Sequence, residues 1–460
     1  MVSMKPFLFI AILFAASQGI ARAADPVTDR TVVLVSVDGL AHYYLDDPKA
    51  EMPNIRRLAS EGARAEKMKA VMPSVTWPNH TSLVTGVTPA KHGVVGNDFL
   101  DRDSHEIVTL IWDPVLDKEQ LIKVPTIYDV AKQAGLTTAA VTWPGSRSAK
   151  SLDWTVPCVN SSEHFIQYST PSLLEEFKAA GIPYEHEADG FKKGEGQNRD
   201  RLHLRMLRYI LATHRPQLAL MHILEVDHVE HAHGPQSPEA YEAVKFADGL
   251  VGEIREELEH SFPGKATLVV VSDHGFMPYR QVIHPNVVLR KAGWLTAVSS
   301  KITGGQVRSV SQGGSTLIYV TDTAHRDALI PRVAAAFKEV EGVKLILTPA
   351  DFPKYGFGDP TAQPRMADLV LSAKEGYMFD GLAAEDEVTS APAEITRGIH
   401  GHDPNEPKLH ATFVAWGAGI KAGARTGTIT NTCVAPTIAA LLGLKMTDTD
   451  GQAVSDILAP

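Results

Sequence analysis

Residues 31–40 read Thr-Val-Val-Leu-Val-Ser-Val-Asp-Gly-Leu, and the first seven are almost wholly β-branched or apolar. A short apolar run of this kind, without alternation, is the pattern of a strand buried on both faces. It leads straight into Asp38. The same design recurs twice. Gln217–Val226 (QLALMHILEV) runs into Asp227, and Thr267–Ser272 (TLVVVS) runs into Asp273. Three buried strands that each deliver an aspartate at their carboxyl end suit an open α/β sheet, in which ligands bind beyond those ends.

The rest of the chain fits that reading. Helices are predicted from Met52-Pro53-Asn54 to about Glu61 with a stop at Gly62, and over 126–133, 199–214, 238–260 and 434–442. Further strands are predicted at 137–142, 317–320, 369–372 and 411–415. Apolar strands alternating with amphipathic helices predict an α/β fold with a mainly parallel central sheet flanked by helices. One catalytic domain is expected over 24–460. Residues 276–397 separate two candidate site segments and carry their own strand and helix signals, so a smaller inserted cap subdomain is expected there.

Composition narrows the class. The chain has 460 residues, 44% of them hydrophobic and 21% charged, as in an ordinary globular protein with a sizeable core. Lys5, the apolar run Phe7–Ala16 and Ala21-Arg22-Ala23 read as a signal peptide over 1–23, which predicts a periplasmic or secreted protein. No later stretch approaches a membrane span. The formal charge is −10, and losing Lys5 and Arg22 makes it more negative. That argues against a nucleic-acid-binding surface, but not against an anionic substrate, because bound cations reverse the local sign. Cys158 and Cys433 are the two cysteines. They lie far apart in sequence, which leaves open whether they pair, and a tetracysteine zinc site is excluded.

Each aspartate taken alone has an ordinary explanation as a turn or cap residue. Their neighbours change the weighting. In EVDHVEHAHGP (225–235), His231 follows Asp227 by four residues, which in a helix puts the two on one face. His274 directly follows Asp273, and Gly-Ile-His-Gly-His at 398–402 brings His400 and His402. Carboxylates and imidazoles without thiolate suit zinc and related divalent ions. Two such ions would clamp the attacking and leaving oxygens of an in-line phosphoryl displacement. Thr76 lies in Pro-Ser-Val-Thr-Trp-Pro-Asn-His (73–80). It suits a helix N-cap, and a threonine hydroxyl at a helix N-terminus could also bind a metal and attack phosphorus. The two roles are compatible.

Five segments then carry a resemblance: SVDGL (36–40), MPSVTWPNHTSLVTGVTPAKHGVVGN (72–97), EVDHVEHAHGP (225–235), VSDHGF (271–276) and GIHGHD (398–403). In this order they resemble the nucleotide pyrophosphatase/phosphodiesterase family of the alkaline phosphatase superfamily. The resemblance implies an alkaline-phosphatase-like fold and a two-zinc site. Asp38, Thr76, Asp273 and His274 would surround one ion, and Asp227, His231 and His400 the other. It also implies Thr76 as nucleophile through a phospho-threonine intermediate, Asn97 as donor to a phosphate oxygen, and Trp77 as a surface for a nucleobase. Within 398–402 the motif favours His400 over His402. His228 and His233 are expected at the surface or behind the ligands. The family often has a tyrosine five residues before the first zinc-binding aspartate of 225–235; here His222 stands there, which weakens the implied nucleotide preference.

The expected activity is hydrolysis of phosphodiester or pyrophosphate bonds in small nucleotide-like substrates. The alternatives are a phosphomonoesterase or phosphonate hydrolase on the same scaffold and, from another class, a non-catalytic metal-binding module. The sulfatase pattern Cys-x-Pro-x-Arg is absent around Thr76.

Overall fold

The computed structural model describes residues 29–111, 116–192, 194–384, 388–390 and 397–460; the signal-peptide segment 1–23 lies outside the described residues. Eight strands form the central sheet: β1 (Thr31–Val37), β2 (Ala63–Lys69), β3 (Thr138–Val141), β4 (Trp154–Val156), β5 (Leu218–Ile223), β6 (Ala266–Val271), β7 (Phe413–Gly417) and β8 (Ala424–Thr430). Their order across the sheet is β8-β2-β7-β6-β1-β5-β3-β4. β7 runs antiparallel to both of its neighbours, and every other pairing is parallel. The mainly parallel α/β architecture is therefore present, with one reversed strand.

The period of two along β1 divides the core. Val33, Val35 and Val37 pack on one face with helices α1 (Pro53–Glu61), α3 (Gly196–His214) and α5 (Pro238–Ser261). Val32 and Leu34 pack on the other with α2 (Thr76–Thr85) and the helices Ile127–Gln133 and Val434–Leu441. Covering both faces explains why the strands are apolar throughout.

Register sets the site. Val37 pairs with Ile223 on β5, and Ser36 with Val271 on β6. The residues after β1, β5 and β6 therefore leave the sheet at one edge, side by side. The strand predicted over 217–226 stops at Ile223, and α4 (Glu225–His233) begins almost at once. The cause is Asp200 of α3, whose Oδ2 accepts hydrogen bonds from the Leu224 and Glu225 N–H groups at 3.0 and 2.9 Å. Those donors would otherwise be orphans at a helix start.

Within 276–397, an antiparallel four-stranded sheet is built from Val307–Gln312, Ser315–Val320, Val343–Leu347 and Leu369–Ala373. It packs with the helices Pro285–Lys291 and Arg326–Phe337 around a core that includes Ile318, Val333, Phe337 and Leu369. Strand Met277–Ile283 pairs with Gly376–Phe379, Val388–Ser390 and Arg397–Ile399, the last of which leads back to the central sheet's edge. Among the described residues no helix is long and apolar enough to cross a membrane.

Candidate active site

Asp38, Asp227 and the pair Asp273–His274 meet beyond the strand ends. Gly39 makes the first turn: its φ is +75°, and a Cβ there would lie 2.8 Å from the Phe276 ring and 3.2 Å from the Asp227 Cα. Only glycine suits that backbone and that closeness. Its N–H donates to Asp273 Oδ1 at 3.2 Å, which links the first and third strand ends.

Two ligand groups result. In the first, His274 Nε2 lies 3.5 Å from Asp38 Oδ1 and 3.0 Å from Asp273 Oδ2. In the second, Asp227 Oδ1 lies 3.4 Å from His231 Nε2 and 3.4 Å from His400 Nε2, and the two imidazole nitrogens stand 3.1 Å apart. The four-residue spacing thus places Asp227 and His231 on one face of α4, as the sequence predicted. The groups adjoin, for the rings of His274 and His400 stack at 3.7 Å. Asp227, His274 and His400 have ligand atoms close enough to share an ion, and so do Asp38, Asp273 and His274.

The imidazoles are oriented by their other nitrogens. Nδ1 donates to the carbonyl of Gly398 from His231 (3.2 Å), of Ser74 from His400 (2.9 Å) and of Gly275 from His274 (3.2 Å). In the neutral ring each Nε2 then carries a lone pair toward the carboxylates. Asp38 Oδ1, Asp227 Oδ1, Asp273 Oδ2 and His274 Nε2 are buried without a hydrogen-bond partner. Acceptors facing acceptors in a buried pocket are costly unless a cation sits among them. The donor set of carboxylate oxygens and imidazole nitrogens therefore fits divalent metal ions.

The electrostatics agree. Burial, and then the charges of Asp273 and Asp227, push the Asp38 carboxyl well above its ordinary range. Burial would also raise Asp227 and Asp273, but neighbouring imidazoles outweigh it and hold both below. Burial and the adjacent His274 push His400 well below the usual imidazole range.

Thr76 opens α2 as its first helical residue, and the N-cap is Val75. The capping role expected for Thr76 is therefore not its own. Its hydroxyl makes no hydrogen bond among the described residues, and Thr76 lines a cavity of about 310 Å³ shared with Asp38, Asp227, His231 and His400. The helix N-terminus also offers an anion less than expected. Trp77 N–H is taken by Asn97 Oδ1 (2.9 Å), Pro78 has none, and Asn79 N–H bonds Val75 O (3.3 Å). Buried polar groups hold α2 in place: Asn79 bonds Val71, Pro73, Val75 and Asn431, and Thr81 Oγ1 donates to Trp77 O.

Asn97 lines the cavity, with its Oδ1 occupied by Trp77 and its Nδ2 left over. Its turn is clamped from afar: Gln312 Oε1 accepts from Asn97 N–H at 2.7 Å, and Gln312 Nε2 donates to Asp98 O at 2.8 Å. Trp77 is nearly buried and forms a wall with Ile111, Pro144, Val159 and Leu224. His402 points away, its Nε2 bonded to Tyr377 O at 2.8 Å. His228 reaches the cavity, and His233 lies outside it, 3.9 Å from Glu239. His222 is buried, with Nε2 2.8 Å from Asp38 Oδ2. Cys158 and Cys433 are both free thiols. Asp200, Ser74 and Gln312 carried no signal in the sequence, because each acts across a long separation.

A model of the type I phosphodiesterase / nucleotide pyrophosphatase family matches residues 32–403. An uncharacterised pyrophosphatase/phosphodiesterase of Schizosaccharomyces pombe is 25% identical over 425 residues, covering 91% of this chain and 77% of that protein. Venom phosphodiesterase 2 of Crotalus adamanteus is 27% identical over 261 residues, 56% of this chain and 28% of the venom protein. Among solved structures, murine ectonucleotide pyrophosphatase/phosphodiesterase 5, in an inactive threonine-to-alanine form in complex with AMP, superposes with a TM-score of 0.69 at 20% identity, over 94% of this chain and 100% of the murine one.

Proposed function

The chain belongs to the type I phosphodiesterase / nucleotide pyrophosphatase family, and from that premise we propose that it is a metal-dependent hydrolase of phosphodiester or pyrophosphate bonds in nucleotide-like substrates, with Thr76 as nucleophile. The observation that carries this reading is that Thr76, with its hydroxyl unbonded, lines the cavity that Asp38, Asp227, His231 and His400 also line.

Asp38, Asp273 and His274 would hold one zinc ion with Thr76, and Asp227, His231 and His400 a second. Bound there, the ions supply positive charge for the attacking, leaving and nonbridging oxygens. Thr76 Oγ gives up its proton and attacks phosphorus, forming the new P–O bond as the bond to the leaving oxygen breaks and that oxygen takes up a proton. Water then displaces Thr76 Oγ, which regains a proton, and the phosphate ester departs. Asn97 Nδ2 donates to a nonbridging oxygen, and the Oδ1 bond to Trp77 N–H fixes which end of the amide faces the substrate. Trp77, Ile111, Pro144, Val159 and Leu224 give the apolar wall that a diester's second substituent needs. AMP bound to the murine relative supports a nucleotide there. The segment 276–397 serves as a cap, with Ser311, Gln312 and Gly313 on the cavity wall. The signal reading places the enzyme in the periplasm or outside the cell, and a mature N-terminus at Ala24 would test that.

Thr76→Ala tests the core of the proposal. It should keep metal and fold while losing most turnover of an aryl phosphate diester; near-wild-type turnover would remove Thr76 as nucleophile. Arg199 favours a second reading, a phosphomonoesterase, because this cationic residue lines the same cavity. That charge is partly offset by Asp200 at 3.7 Å. A strong preference for the aryl monoester over the diester would select the second reading.

A further inference from the structure

His222 is an imidazole of the cavity wall that the mechanism does not use. It sits one residue before the end of β5 and is 1% exposed. Its ring lies against that of His80, with centroids 4.3 Å apart, and His80 meets Trp143 edge-on at 5.0 Å. Thr142 Oγ1 donates to the His222 carbonyl at 3.2 Å. The ring is therefore wedged, with little freedom to turn. With Asp38 ionised, as a metal ligand must be, its carboxylate only accepts, and the 2.8 Å contact with Oδ2 then places the hydrogen on His222 Nε2. One oxygen of Asp38 is pinned in this way. The other, Oδ1, has no hydrogen-bond donor and faces His274 Nε2 at 3.5 Å.

We propose that His222 is a positioning residue: it locks the Asp38 carboxylate so that Oδ1 is presented to the cation shared with Asp273 and His274, and it does not serve as a stacking surface for the substrate. This rests on the metal-centre reading above. Partners that orient a metal ligand are typically worth about 10–100-fold in metal affinity. Apolar contact with the substrate's organic group then falls to Trp77 and the aliphatic wall of Ile111, Val159 and Leu224.

Two substitutions separate the roles. His222→Phe keeps a flat ring and removes the donor; His222→Gln keeps a donor and removes the ring. Zinc affinity is measured on the full chain by competition with a chromogenic chelator. KM is compared for a nucleoside aryl phosphate diester and a base-free aryl diester. The Phe variant should bind zinc about 10–100-fold more weakly, and the Gln variant should keep the wild-type ratio of the two KM values. Wild-type zinc affinity in a folded Phe variant would overturn the proposal. So would a Gln variant whose KM rises for the nucleoside ester alone, a result that decides even if the Phe variant does not fold. A wild-type chain that takes up no zinc would defeat the metal-centre reading itself.

Discussion

The carbonyl of Ser74 accepts a hydrogen bond from His400 Nδ1 at 2.9 Å, while the Ser74 hydroxyl donates to His402 O at 2.9 Å and accepts from Gly401 N–H at 3.1 Å. A residue two positions before the proposed nucleophile thus aims a proposed metal ligand from the far end of the chain. Ser74→Ala keeps the carbonyl and removes two of the three bonds. Zinc affinity should fall, by roughly 10-fold on the scale of such supporting contacts, with less effect on melting temperature in chelator. A chelator competition assay against wild type checks this.

Chelation should act on the fold as well as on turnover. Buried acceptors at Asp38, Asp227, Asp273 and His274 face one another without hydrogen-bond partners. A cation that binds only the folded chain adds about 2.7 kcal/mol at 100 times its Kd. A chelator should therefore abolish hydrolysis and lower the melting temperature, and added zinc should restore both. A melting curve that does not respond to zinc would count against the assignment.

Asp200 should prove more important than its distance from the chemistry suggests. Its Oδ2 accepts the N–H groups of Leu224 and Glu225, which start the helix carrying Asp227 and His231. Asp200→Ala leaves two buried donors unpaired, at a cost on the order of 1–3 kcal/mol each. It should also weaken zinc binding. Asp200→Asn keeps an acceptor and should recover part of both losses. Urea unfolding and zinc titration of the two variants provide the comparison.

His92 makes stability depend on pH. It is fully buried, accepts from Val94 N–H at Nδ1 (3.1 Å) and donates from Nε2 to Ser82 Oγ (3.0 Å), so the neutral ring is built in. Burial depresses its pKa from 6.5 to about 3. Between those values the unfolded chain binds the extra proton and the folded chain does not. Its contribution to stability is therefore complete above pH 6.5 and is lost as pH falls toward 3. The slope from this one group is at most about 1.4 kcal/mol per pH unit. His92→Gln, compared with wild type by denaturant unfolding in chelator at several pH values, should show a shallower acid slope.

The site was legible where function sits at regular places. Asp38, Asp227 and Asp273 each follow an apolar strand, and the step from Asp227 to His231 is one helical turn, so strand ends and helix faces could be read from the chain alone. Thr76 was less legible. A Thr before Trp-Pro looks like a cap, yet the helix begins one residue earlier than that reading assumes, and the cap falls to Val75. The span 217–226 looked like one strand because Leu224 and Val226 are apolar; the break after Ile223 comes from Asp200 on another helix. His222 and Gln312 could not be read either. What each does depends on a partner that only the folded sheet and hairpin bring near.

The register of β1 with β5 and β6 also bears on how the chain matures. Asp38 and His400 come from opposite ends of the sequence, so the pocket is closed by contacts across long loops of the chain. Such closures are entropically late events in folding. On the metal-centre reading proposed above, a chain lacking the segment after residue 397 carries every carboxylate of the site but not His400, and should bind the second ion poorly.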